Sequence, residues 1–369
     1  MGANSGIGGL FRRLSAGVLL FVIILSSAFT VFAAEIEDLY EAEVPVSGQA
    51  ETERLRALGE AFRSVLIKVT GQREIASNPD IAAALARPMN YVQQYLYTPL
   101  PAGEGSPYTE AMHVRFDARA VETLVKRAGV PVWGRERPAT LLWVAVDEGE
   151  RRYILSTDDA GELRDMLTAE ARRRGLPILL PLLDLEDRSQ VSFTDVWGNF
   201  RSVVAGASVR YQVAVVAVGR LLLERDGRWS ARWSLYHEGA EDHWTVRAGD
   251  VQKAVADGID AIADTLAMRY TGGAAGEGGA HVDLIIGGVG DLPAYRRAMR
   301  YLERLDQVRE LKLIAVEDDR AIFRMRIDGD AQTLARTIAF GKTLIAAPVE
   351  RGSVPAEPEV VTLGYRLLP

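Results

Sequence analysis

Residues Thr140–Val146 read Thr-Leu-Leu-Trp-Val-Ala-Val, a run with no charge and no polar alternation. A strand with one wet face alternates apolar and polar side chains, whereas an unbroken apolar run must be covered on both faces. Helical layers above and below a sheet supply that cover, so this run commits the middle of the chain to an α/β layered architecture. Ile178–Leu183 and Val213–Leu222 are further apolar strands for the same sheet, with Pro181 placing the first near an edge or bulge. Asp158 or Asp159 is expected to cap a helix reaching Arg174 and stopped by Gly175. Phe193–Ala207 reads as another helix, interrupted in pattern by Gly198 and Gly206. Asp226-Gly227 is the strongest hairpin signal in the chain. Beyond it, Trp229, Ala231, Trp233 and Leu235 share one face, which makes the two tryptophans core residues rather than a binding platform. Trp244–Arg247 reads as a short strand, and Asp250 caps a helix with the buried stripe Val251, Val255, Ile259, Ile262 and Leu266.

The α/β module so defined spans residues 138–270, and different patterns flank it. Residues 36–137 alternate short strands (40–46, 91–98, 112–116) with helices over 52–69, 79–86 and 118–128, an α+β pattern with stops at Gly71 and Gly129. Residues 271–280 hold five glycines and one charge, the composition of a flexible linker. Residues 281–369 carry strand, helix, strand, strand, helix and strand in the βαββαβ order of a ferredoxin-like unit, with Asp291 and Pro293 opening one helix and Asp330 the other.

The first 33 residues hold Arg12 and Arg13, no acid, and an apolar run from Ala16, ending at Val31-Phe32-Ala33. This is the pattern of a secretory signal peptide cut between Ala33 and Ala34. The alternative is an uncleaved inner-membrane anchor, since residues 16–32 sit at the lower edge of what spans a bilayer. Loss of the segment takes the formal charge from −7 to −9. An acidic exported chain is poorly suited to nucleic acid, whose binding rests on neutralised phosphates. The chain contains no cysteine, which excludes thiolate catalysis and thiolate metal sites and suits an oxidising periplasm.

Catalytic and cofactor motifs are fragmentary. Gly341-Lys342-Thr343 lacks the earlier glycine of a phosphate loop, since Arg336 stands there, and it ends a helix instead of opening one. Gly288-Val289-Gly290 is half a dinucleotide fingerprint, with Pro293 at the third glycine position. His237 and His243 are six residues apart around Gly239, not four apart on a helix, and His113 and His281 have no neighbours at ligand spacing. No cofactor or metal is therefore expected from motifs. One ligand crevice merits statement. In open α/β sheets ligands bind off the carboxyl ends of parallel strands, and those ends here carry Asp147, Asp184, Asp187 and Arg220. Converging, the carboxylates would hold a hard cation or serve as acid and base; apart, they are solvated loop acids.

Val46-Ser47-Gly48, Lys68-Val69-Thr70-Gly71, Phe116-Asp117, Pro131-Val132-Trp133-Gly134 with Arg137-Pro138, and Leu142-Trp143-Val144 resemble the exported bacterial family known as domain of unknown function 2066. That resemblance implies a Gram-negative envelope setting and no established chemistry. In outline the first two modules are similar to envelope assembly factors that pair a small α+β module with a three-layer TolB-like α/β module, an analogy of fold alone. The reading that follows is a periplasmic, non-enzymatic interaction or assembly factor with an envelope protein partner. The alternative is a cation-dependent hydrolase using the strand-end carboxylates.

Overall fold

The structure, a computed structural model, describes residues 33–100, 107–271, 280–349 and 360–368. Residues 1–32, read above as part of a signal, most of the glycine-rich stretch 271–280 and most of residues 348–358 lie outside these. The described residues form a mixed α/β protein. In the first part, β1 (Ala33–Glu35) precedes β2 (Glu41–Val46), α1 (Glu51–Thr70), α2 (Pro79–Leu85), β3 (Val92–Pro99), β4 (Glu110–Phe116) and α3 (Ala118–Arg127). The strands pair antiparallel in the order β2-β4-β3. Period-two alternation turns Val44, Val46, Met112, Val114 and Phe116 toward α1, which answers with Leu58, Phe62, Val65 and Val69 at helical spacing. Phe62 stacks on both Tyr91 and Phe116, at 4.7 and 5.1 Å. Asn78 caps α2, its side chain accepting from the Asp80 and Ile81 amides.

The middle part contains β5 (Glu136–Pro138), β6 (Thr140–Asp147), β7 (Arg152–Ile154), α4 (Glu162–Arg174), β8 (Ile178–Leu179), α5 (Leu185–Gln190), α6 (Phe193–Trp197), α7 (Arg201–Ser208), β9 (Val215–Leu223), β10 (Trp229–His237), β11 (Ala240–Ala248) and α8 (Val251–Tyr270). The sheet order is β11-β10-β9-β6-β7, with β8 also on β6. As the apolar run requires, every residue of β6 is buried. Leu142, Val144 and Val146 face α4 and α8; Leu141, Trp143 and Ala145 face α6 and α7. Four details depart from expectation. β8 stops after two residues because Pro181 has no amide, and the Pro181 and Leu180 carbonyls bond Thr157 instead. Asp159 accepts from the Ser156 amide and hydroxyl, so α4 begins later, behind Gly161. The helix expected over Phe193–Ala207 breaks at Gly198-Asn199, where Asn199 has φ 55°. β11 pairs with β10 from Ala240 to Ala248, well beyond Trp244–Arg247.

The last part comprises β12 (Ala280–Gly287), α9 (Leu292–Glu303), β13 (Val308–Glu317), β14 (Arg320–Ile327), α10 (Ala331–Phe340), β15 (Leu344–Ala346) and β16 (Val361–Leu367), ordered β13-β14-β12-β16-β15. The order is thus βαββαββ. The unforeseen β15 pairs antiparallel with β16, which leaves β16 parallel to β12. This part docks on the segment between the first two. Asp306 accepts from the Arg135 amide at 3.1 Å, Tyr301 donates to Glu136 at 3.2 Å, and Phe340 meets the Tyr270 ring edge-on. Burial, reinforced by Glu122, raises the Asp306 pKa above the usual carboxylate range. The folded chain therefore binds that proton more tightly than the unfolded chain, and ionisation erodes stability as pH rises. Asp306→Asn is expected to gain stability over the parent as pH rises from 4 to 7. Urea melts across that interval check it; a constant difference would contradict it.

One guanidinium ties the first two parts together. A helix leaves its last carbonyls without intrahelical donors. At the end of α1, the Val69 carbonyl accepts from the Trp133 amide (2.7 Å) and that of Lys68 from Arg137 (2.7 Å). Arg137 also donates to the carbonyls of Arg174 and Gly175 at the end of α4 (3.3 and 2.7 Å) and lies over the Trp133 ring at 3.9 Å. Arg174, equally inaccessible, pairs with Asp260 and Asp264 and donates to the Gly71 carbonyl. Gly71, at φ 72°, cannot carry a side chain: a Cβ there would lie 2.1 Å from the Ala267 Cβ.

Candidate functional site

The joint opens a cleft of about 620 Å³ between the sheet of the first part and α4. The sheet face turned away from α1 forms one wall. Its rows run Glu41, Arg115, Gln94; then Glu43, His113, Leu96; then Pro45, Ala111, Thr98. Asp165, Thr168, Ala169, Arg172 and Arg173 of α4 form the other wall, with Ser64 and Lys68 of α1 between. The charges are matched internally. Glu41 meets Arg115 and Asp38 meets Arg172, each at 2.8 Å, and the Glu43 carboxylate lies 3.5 Å from the His113 ring. Lys68 donates to the carbonyls of Asp38 and Glu41 at 3.0 and 2.7 Å, and burial lowers its pKa. What stays open is Gln94, Thr168 and the half-exposed Leu96, beside β3, an outer strand bonded on one side to β4. Sequence reasoning missed this cleft, because its walls are about fifty to a hundred and thirty residues apart and each reads as a solvated surface.

The strand-end carboxylates do not converge. β6, β8 and β9 are parallel, as supposed, yet Asp147 closes on one cation while Asp184 and Asp187 share another. Asp147 is held by Arg152 at 2.8 Å and accepts from the Gly149 amide. Asp184 caps α5 and takes a forked pair of bonds from Arg210, at 2.7 and 2.9 Å, which lowers its pKa. Asp187 is inaccessible and accepts from Arg210, the Leu183 amide and the Tyr211 hydroxyl, at 3.0, 2.9 and 2.6 Å. Burial and that hydrogen bond push the Tyr211 pKa up to about 12. Among the described residues no group of three or more metal-ligating side chains is assembled. The acids serve as helix-capping and loop-fixing groups because β8 is cut short, so the chain turns away before reaching the end of β6.

A known family, Domain of unknown function (DUF8605), matches residues 33–134. The resemblance to domain of unknown function 2066 is thereby corrected: a different family of unknown function matches, and Arg137-Pro138 and Leu142-Trp143-Val144 lie beyond the matched span. No curated protein matches the chain. The matched span contains the sheet wall of the cleft, but not α4.

The remaining candidates have local explanations. His237 and His243 lie on opposite faces of the β10–β11 ribbon, bonded to Asp242 (2.8 Å) and Ser234 (2.9 Å), so they cannot share a metal ion. Gly341 follows the end of α10, and Gly288, at φ 79°, makes a tight turn before α9. Ala33 and Ala34 pair with Pro138 and Arg137 in the β1–β5 ribbon. No helix among the described residues is long and apolar enough to cross a membrane. Arg220 is left without any of the acids it was grouped with. It stands opposite Arg232 and beside Ala145, and burial, then Arg232, lowers its pKa.

Proposed function

We propose that the protein is a non-enzymatic interaction or assembly factor of the periplasm, exported by its N-terminal segment, which receives an extended polypeptide of an envelope partner in the cleft between β3 and α4. The observation that carries this reading is the state of the cleft walls: their charges are already matched, while Leu96, Gln94 and an outer strand remain open. A charged small ligand would have to break those pairs. A polypeptide needs only backbone partners along a strand edge and a place for apolar side chains. In the same reading the middle part is TolB-like, and the last part is a ferredoxin-like unit with one added strand.

Placing a photo-crosslinking residue at Leu96 in cells is expected to capture one envelope polypeptide. Ala169→Trp, which fills the opposite wall, should abolish the adduct, and a crosslinker at the exposed Met268 should give none. N-terminal sequencing of the same material is expected to begin at Ala34 or Glu35; a retained Met1 would indicate the anchored alternative. Equal capture from both positions, or fractionation with the cytosol, would overturn the proposal.

A further inference from the structure

We propose that the face of β9, β10 and β11 around Arg220 and Arg232 binds a phosphate-type oxyanion. These two arginines are directly opposite each other in the antiparallel register, with Arg247 diagonal to Arg232 on the next strand. Like charges in that position destabilise a sheet unless a counter-charge joins them. The acids of this face are engaged elsewhere: Glu241 by Arg201 and His243, and Asp147 by Arg152. Arg220 is half-buried, and its Nε is shut off from solvent with no hydrogen-bond partner. Among the described residues its one bond to protein is a long one, 3.4 Å, to the Ser234 hydroxyl. That hydroxyl is fully buried and is fixed by Asn199 at 3.1 Å and His243 at 2.9 Å, so the guanidinium is oriented by a built hub and not by chance packing. The α6–α7 turn, carrying Asn199 and Arg201, closes one end of the face, with Arg201 over the Tyr236 ring.

The donor set favours phosphate over carboxylate. One bidentate guanidinium satisfies a planar carboxylate, whereas arginines on adjacent strands present donors from several directions and more than one positive charge, which suits a tetrahedral dianion. The phosphate can be free in solution or borne on a lipid headgroup.

Isothermal titration of the purified chain with sodium phosphate, against chloride at equal ionic strength, tests the first source. Sedimentation with phosphatidic acid–phosphatidylcholine vesicles, against pure phosphatidylcholine, tests the second. In whichever arm binds, Arg220→Gln and, separately, Arg232→Gln are expected to weaken affinity by about tenfold or more, the loss of a charge-assisted bond. Arg232 is exposed, so its variant keeps the fold even should Arg220→Gln disturb it. Arg228→Gln, whose side chain pairs with Asp226 in the hairpin turn, should leave binding unchanged. Binding in neither arm, binding indifferent to both substitutions, or retention of polyglutamate alone would overturn the assignment.

Discussion

Arg137→Ala is expected to lower the unfolding free energy by about 3–5 kcal/mol, the cost of leaving several buried acceptors without donors. A shift of the urea midpoint at unchanged slope would report it. The guanidinium is wholly inaccessible and donates to the carbonyls of Gly134, Lys68, Trp133, Arg174 and Gly175. None of these partners is a carboxylate. The positive charge is instead held between the C-terminal ends of α1 and α4, where helix dipoles place partial negative charge. Burial pulls its pKa down to about 9, which still leaves it a cation at neutral pH. Removing the side chain orphans several buried acceptors at once, at about 1–3 kcal/mol each where water cannot enter. It also uncovers the Trp133 ring. Arg137→Lys should recover only part of the loss, because a single ammonium cannot reach two helix ends and the intervening loop together. A change within about 0.5 kcal/mol for Ala would show that the joint is held by apolar contacts alone.

Arg137 also shows where sequence reading runs out. Patterns that act locally were legible. The uncharged run of β6, the Asp226-Gly227 turn, and the caps Asn78, Asp250, Asp291 and Asp330 all lie where residue chemistry and spacing place them. Failures came where a distant partner overrode a local preference. Asp159 is as good a cap as the others, but Ser156 claims its carboxylate first. Glu241, Asp242 and His243 look like a solvated turn, yet β10 offers a full register of backbone partners and draws them into β11. The crevice failed for the same reason. Nothing near Asp184 or Asp187 announces Arg210, more than twenty residues on, which takes both carboxylates. Arg220 reads in the sequence as a companion of acids, whereas its neighbour across the ladder is another arginine.

Gly258→Ala is expected to destabilise the protein by about 1–3 kcal/mol, the usual effect of overpacking a core. The sign is the informative part. Glycine inside a helix costs about 1 kcal/mol relative to alanine, so an unconstrained position would become more stable. Here the Trp233 ring lies flat between β9 and α8: a Cβ at Gly258 would sit 2.2 Å from its Cε2, and one at Gly219 2.7 Å from its Cζ3. The two glycines thus admit an indole where two side chains would otherwise meet. Trp233→Ala, which empties that slot, should cost about 3–5 kcal/mol. Because each substitution acts on the same space, their effects should not add. With the indole gone, the new methyl at 258 has no clash and fills part of the void, and α8 regains its helix propensity. The double variant should therefore be more stable than Trp233→Ala alone. Urea melts of the four proteins decide it: additive losses would mean that Gly258 serves α8 for some reason other than room for Trp233.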